Sequence, residues 1–318
     1  MTHIMQKLQE VSFKNGPLCV GLDTDPSYLP ESVLKVFSSP AEAILAYNKE
    51  IIKRVAEEKS ACCFKIQIAY YEAMGIEGLK AYIETINAVH EAGFLAISDI
   101  KRGDIADTAK AYARAHFGKG SDFETDIITI NPYMGFDTLK PFTEYCKPLV
   151  SDGQSEGGKG IFVLLRTSNP GMTDIEQQEL TSGGRVLDKT GSELKRIAEE
   201  FKSVYTEQTC SPVGAVVGCT EESDARALRD AYPEIFFLIP GYGAQGGAAR
   251  IAATLLDKAG GTVNSSRGIL CAWKKDSEIS EQRENGILCL KDISDAAARA
   301  CRFSTEDLLN AKKNLGIK

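Results

Sequence analysis

The chain has 318 residues, 43% hydrophobic and 25% charged, the balance of an ordinary globular protein with a large core. Its 37 basic and 44 acidic residues leave a net charge of −7, which argues against a broad nucleic-acid-binding surface but not against a local basic pocket. No apolar run approaches membrane-spanning length, residues 1–14 lack the apolar centre of a secretory signal, and nine cysteines without a C-x-x-C pair, beside only three histidines, read as reduced thiols of a cytoplasmic protein with no zinc site.

Apolar runs recur along the whole chain with helix-like segments between them. The first predicted strand is Leu18–Leu22. Ser39-Pro40-Ala41-Glu42 then reads as an N-cap, a proline at the first helical position and a capping-box glutamate, with Ile44, Tyr47, Ile51, Ile52 and Val55 on one face. Further strands are expected at Cys62–Ile68, Phe94–Ile97, Ile127–Ile130, Ile161–Leu165, Val213–Val217, Ile235–Ile239 and Thr262–Leu270. A helix around 193–201 carries Leu194, Ile197, Ala198 and Phe201 on one stripe, and Ala248–Leu256 reads as another. Stretches 151–160 and 181–184 look like surface loops, 271–291 is a polar insertion, and two terminal helices are expected near 292–302 and 305–314. Eight apolar strands separated by helices predict a parallel sheet covered on its outer face, and eight units favour a closed (β/α)8 TIM barrel, one α/β domain over residues 1–318.

In such barrels the site lies at the C-terminal ends of the strands. There the sequence places Asp23, Lys65, Asp99-x-Lys101-x-x-Asp104, Thr167-Ser168, Pro240–Gly247 and Asn264–Gly268. Residues two apart on a strand share a face, so Asp99 and Lys101 should look into one space, with Gly103 letting the chain turn toward Asp104. Lys65 interrupts an otherwise apolar strand, and lysine is rarely buried unless paired. Asp23 alone could simply cap a turn. Gly241-x-Gly243-x-x-Gly246 matches a dinucleotide fingerprint, but it lies in the seventh unit and is followed by Ser265, Ser266 and Arg267 where an acidic residue would be needed. A loop whose amides cradle a phosphate, with Arg267 as a forked partner, fits better. No nucleophile elbow, Walker loop or hydrolase triad is present.

The set Asp23, Lys65, Asp99-x-Lys101-x-x-Asp104, Thr108, Ser168, Pro240-Gly-Tyr-Gly-Ala-Gln245-Gly-Gly and Arg267 resembles the orotidine 5′-phosphate decarboxylases, and the long loops and Thr-Ser-Asn-Pro-Gly run resemble their longer-loop subgroup. The resemblance implies decarboxylation of orotidine 5′-monophosphate to uridine 5′-monophosphate, the last step of de novo pyrimidine synthesis, with no metal or organic cofactor; the charge balance and the lack of a long apolar run add the expectation of no nucleic-acid or membrane partner. It implies Lys101 as proton donor and stabiliser of a carbanion, with Asp99 beside the substrate carboxylate. Lys65 and Asp104 would complete the charged network and orient the ribose. Asp23 would hold the ribose, Ser168 the pyrimidine, and Gln245 with Arg267 the phosphate. Asp104 and Thr108 would reach the neighbouring subunit's site in a homodimer. Thr167 is an alternative to Ser168, and Gln67 is a further candidate near the ribose. The competing reading is a Mg²⁺-dependent sugar-phosphate aldolase or β-keto-acid decarboxylase barrel, which shares Asp-x-Lys-x-x-Asp but needs an acidic metal ligand where this chain has Lys65.

Overall fold

The computed structural model describes residues 1–151, 154–219, 222–243 and 249–317. Eight strands form a closed barrel: β1 (Leu18–Gly21), β2 (Cys63–Gln67), β3 (Leu95–Arg102), β4 (Ile127–Ile130), β5 (Gly160–Arg166), β6 (Val213–Val217), β7 (Phe237–Ile239) and β8 (Gly261–Ser265). Every pair is parallel, each strand lies beside its sequence neighbours, and β8 closes on β1 through Leu18↔Val263 and Cys19↔Asn264. Both faces of each strand are covered, which is why the strands read as continuous apolar runs.

Alternation along the strands divides the core. Residues such as Val20, Phe64, Ile128 and Val163 face outward and pack under the helices. Cys19, Cys63, Ile97, Ile127, Phe162, Val216, Phe236 and Leu238 face inward and fill the barrel. An N-terminal helix, Ile4–Asn15, plugs the bottom with Met5 and Leu8, both fully buried in the inner cluster. It is fastened by Gln9 Nε2 to the Ala259 carbonyl (2.7 Å), by Ser12 Oγ to the Gly261 carbonyl (2.8 Å), and by His3, whose Nδ1 accepts the Gln6 amide while Nε2 donates to the Cys210 carbonyl. The interior is thus closed at one end and polar at the other.

Several expectations need correction. The third strand runs through the charged residues to Arg102, because their charges are neutralised inside the barrel mouth. The eighth ends at Ser265, and Arg267–Leu270 turns into a short helix whose Ile269 and Leu270 are buried as helical residues. The terminal segment is one helix, Leu290–Asn314, since Ser304 and Thr305 face the protein and Thr305 Oγ1 donates to the Ser60 carbonyl instead of breaking the helix. Stretch 151–160 contains half of a small antiparallel hairpin, Leu149–Ser151 with Gln154–Glu156. The helix Pro40–Glu58 is capped by Ser39 as expected, but Glu42 reaches back to the Ser38 amide (2.9 Å) and not to that of Ser39. The helix read around 193–201 spans Val186–Lys202, and the insertion 271–291 contains a short helix, Ser280–Glu284. Among the described residues no helix is long and apolar enough to cross a membrane, and all nine cysteines are free thiols.

Candidate active site

The strand register brings four charged side chains into one row at the C-terminal mouth. Gly21 pairs with Lys65, Lys65 with Ile97, and Gln67 with Asp99, so inward side chains of β1, β2 and β3 stand side by side. Lys65 Nζ lies 2.7 Å from Asp23 Oδ1 and 3.1 Å from Asp99 Oδ2. Asp99 Oδ1 in turn lies 2.6 Å from Lys101 Nζ. Carboxylate and ammonium alternate from Asp23 to Lys101, and the row is neutral overall.

Asp99 is the hub. Its Oδ1 accepts from Lys101 Nζ and from Thr129 Oγ1 (2.7 Å), and its Oδ2 from Lys65 Nζ and Gln67 Nε2 (3.0 Å). Burial works against ionisation here, but the two ammonium groups and the hydroxyl outweigh it and hold the carboxyl well below the usual carboxylate range. Burial likewise disfavours the Lys65 ammonium, and the carboxylates of Asp23 and Asp99 overcome this, holding it above the ordinary lysine range. Removing Lys65 from between the two carboxylates would strand buried charge, a loss of about 3–5 kcal/mol.

Asp23 follows β1, with its flanks held rigid. The Tyr71 hydroxyl donates to the Leu22 carbonyl (3.1 Å), and Thr24 Oγ1 donates to Asn48 Oδ1 (2.8 Å), whose amide donates back to Tyr71. Ser266 Oγ, itself bonded by Asn264 Nδ2, donates to Asp23 Oδ2 (2.7 Å).

At Lys101 the backbone leaves the extended region: φ is +45°, a conformation costing a non-glycine residue roughly 1–2 kcal/mol. The β3–β4 ladder slips at the same place, with Ser98 opposite Ile128 but Arg102 opposite Ile130. The expected role of Gly103 changes accordingly. The left-handed residues of this turn are Lys101 and Ala106, whereas Gly103 is needed because a Cβ there would sit 2.6 Å from the Asn131 carbonyl.

The remaining expected residues lie around the row. Asp104 is half-buried, makes no ion pair among the described residues, and accepts only the Ile105 amide (2.8 Å). Thr108 is exposed in the first turn of the helix Ala106–Phe117. Ser168 packs against Gly218 at the end of β6 with its hydroxyl uncommitted among the described residues. Thr167, the alternative, has its hydroxyl and amide bound by Glu176 at 2.7 and 2.8 Å. Arg267 is exposed at the start of its short helix, with no ion-pair partner among the described residues. Gln245 lies outside the described residues; the loop base before it is fixed by Tyr242, whose hydroxyl donates to Asp307 Oδ2 (2.7 Å). Gln67 is found on Asp99.

Thr129 and Ser266 were not singled out from the sequence. Thr129 carries the same signal that exposed Lys65, a polar side chain at an inward position of an apolar strand. Ser266 sits in the polar rim segment after β8.

Fold and site together define a closed parallel (β/α)8 barrel with an alternating carboxylate–ammonium row in its mouth. Residues 16–281 match the family model described as Orotidine 5′-phosphate decarboxylase / HUMPS family. A Clostridium botulinum orotidine 5′-phosphate decarboxylase is 48% identical over 284 residues, covering 88% of this chain and 94% of its own. One from Clostridium tetani is 47% identical over 295 residues, covering 91% and 96%. The solved structure of Leishmania donovani OMP decarboxylase superimposes with a TM-score of 0.65 at 28% identity, over 95% of this chain and 99% of that one. The chain belongs to the orotidine 5′-phosphate decarboxylase / HUMPS family.

Proposed function

We propose that this protein decarboxylates orotidine 5′-monophosphate to uridine 5′-monophosphate, the last step of de novo pyrimidine synthesis, in the cytoplasm, with residues 1–318 forming a single barrel domain. The observation that carries the reading is the contrast within the row. The side chain of Lys65 is 5% exposed and enclosed by two carboxylates, whereas that of Lys101 is 45% exposed and held by one. Lys101 is therefore the ammonium that can meet a substrate and regain a proton from solvent.

The bond between the pyrimidine ring and its carboxylate breaks, CO₂ leaves, and the electron pair stays on the ring carbon. The Lys101 ammonium stabilises that developing charge electrostatically and then gives its proton to the same carbon. Solvent reprotonates the lysine, so each turnover consumes one proton. Asp99 aims Lys101, and Lys65 keeps Asp99 ionised. Asp23 binds the ribose, Ser168 the pyrimidine, and Gln245 with Arg267 the phosphate. Asp104, which makes no ion pair among the described residues, and the exposed Thr108 serve the site of a second copy in a homodimer.

No metal or organic cofactor is needed in this scheme. A Mg²⁺-dependent aldolase or decarboxylase would need an acidic metal ligand where this chain has Lys65, whose Nζ lies 2.7 and 3.1 Å from the carboxylates of Asp23 and Asp99. The shared name of relatives at 47–48% identity supports the same choice. The test is an absorbance assay on orotidine 5′-monophosphate before and after exhaustive EDTA treatment. Full activity in chelator is expected. Loss that Mg²⁺ restores would move the protein to the metal-dependent class.

A further inference from the structure

Thr129 occupies the one point where the slipped ladder, the left-handed lysine and the charged row meet. Its strand is otherwise apolar, Ile127-Ile128-Thr129-Ile130, and Thr129 itself is 1% exposed. A hydroxyl in such a place is unfavourable unless its bonds are made. Both are. The Lys101 amide donates to Thr129 Oγ1 at 3.0 Å, and Thr129 Oγ1 donates to Asp99 Oδ1 at 2.7 Å. The proton's direction is fixed by chemistry, since an amide N–H can only donate and an ionised carboxylate can only accept. Slippage of β3 against β4 takes the Lys101 amide out of the regular ladder, and the threonine supplies the acceptor that the ladder no longer does.

We propose that Thr129 is a positioning residue for Lys101: one hydroxyl, bonded at once to the Lys101 amide and to the Asp99 carboxylate, holds the left-handed turn and aims the ammonium. The proposal rests on the reading of Lys101 as the proton donor, but its structural half does not depend on turnover. Thr129 touches no reacting atom; it acts through the backbone of one catalytic group and the side chain of another. Valine would have the same shape and would suit the surrounding isoleucines, so a merely space-filling threonine would be replaced without harm.

The experiment compares Thr129→Val with Thr129→Ser. Thr129→Val should lower kcat for orotidine 5′-monophosphate by roughly 10- to 100-fold, the scale of losing a charge-linked hydrogen bond in a site. KM and the affinity for uridine 5′-monophosphate should change less than threefold, because the ribose and phosphate contacts are untouched. The acid limb of the kcat/KM profile should move to higher pH, since Asp99 has lost one of four donors. Thr129→Ser should restore kcat to within about threefold of wild type. A crystal structure of Thr129→Val should show Lys101 out of the left-handed region, with its ammonium displaced from Asp99. If Thr129→Val does not fold, Thr129→Ala removes the same two bonds without branching and reads the same outcome. Wild-type kcat in the valine variant, equal loss in the serine variant, or an unchanged Lys101 backbone would each overturn the proposal. Absence of any decarboxylation by the wild-type protein would instead overturn the proposed function, and the crystal structure would still decide whether Thr129 holds the turn.

Discussion

Inside the barrel mouth each charge of the row has its counter-charge within 3.1 Å, whereas on the rim Asp104 and Arg267 have no ion-pair partner among the described residues. The two regions lie within a few residues of each other along the chain. Lys101 and Asp104 are three apart, Ser266 and Arg267 are adjacent, and in each pair one side chain is committed to the row and the other is not. The difference is physical. Groups buried in the mouth must be neutralised internally, because they lose water on folding whether or not a ligand is present. Groups on the rim keep their water until something displaces it, so they can remain unpaired and be spent on a ligand or a second chain.

The sharpest way to break this comparison is to exchange the fates of the two lysines. Lys101→Ala should reduce turnover by about 10³-fold or more while leaving the melting temperature nearly unchanged, because its side chain is half in solvent. A mixed-dimer test extends this to the rim. Lys101→Ala and Asp104→Asn proteins, each severely impaired alone, should recover about a quarter of wild-type activity when unfolded together in equal amounts and refolded, since half the dimers are mixed and each holds one site free of both lesions. No recovery in verified mixed dimers would place Asp104 in its own chain's site.

Lys65→Met should behave in the opposite way to Lys101→Ala in a melt. It leaves Asp23 and Asp99 facing each other without their shared cation and should cost about 3–5 kcal/mol of stability, measured by denaturant unfolding at neutral pH. A normal unfolding midpoint would show that the row is far less tightly coupled than its distances imply.

Arg267→Ala should raise KM for the nucleotide by roughly 10- to 100-fold and change the folded protein little. The dephosphorylated nucleoside, which never made the contact, should be turned over almost as before. Equal losses for both would make Arg267 structural and remove one of the rim's free charges.

A more gradual effect is expected in stability against pH, where burial of the histidines and charge pairing of Asp99 and Lys65 act in separate windows. His3 and His116 are pushed down to about 4, chiefly by burial. The unfolded chain, with histidines near 6.5, takes up protons first, so their contribution is full above that pH and falls as pH drops toward 4, by about 1–3 kcal/mol each. Asp99, held below the usual carboxylate range, contributes fully above about 3.9 and is lost only as pH falls through its lower folded value. Lys65, held above the lysine range, contributes fully below about 10.4 and is lost at still higher pH. Melting temperatures should therefore decline from pH 6.5 to 4, and His3→Asn together with His116→Gln should flatten that slope. An unchanged slope in the double variant would assign it to other groups.

What the sequence by itself determined follows from local rules. Continuous apolar runs bounded by polar segments identify strands covered on both faces, and eight of them separated by helices specify the barrel. Two-residue alternation places Asp99 and Lys101 in one space, and a lysine amid apolar neighbours marks Lys65 as paired. What only the tertiary structure decided depends on neighbours distant in the chain. The N-terminal helix has a mixed composition, and Met5 and Leu8 acquire meaning only as the plug beneath eight inward strands. The sequence reads as two terminal helices parted at residues 303 and 304, until the Ser60 carbonyl, 245 positions away from Thr305, accepts the Thr305 hydroxyl within one continuous helix. The left-handed Lys101, the slipped register and the double use of Thr129 come from fitting β3 against β4 while keeping a buried carboxylate satisfied. Periodicity reports which face a side chain takes; which hydrogen bond a strained amide finds is set by the strand that packs beside it.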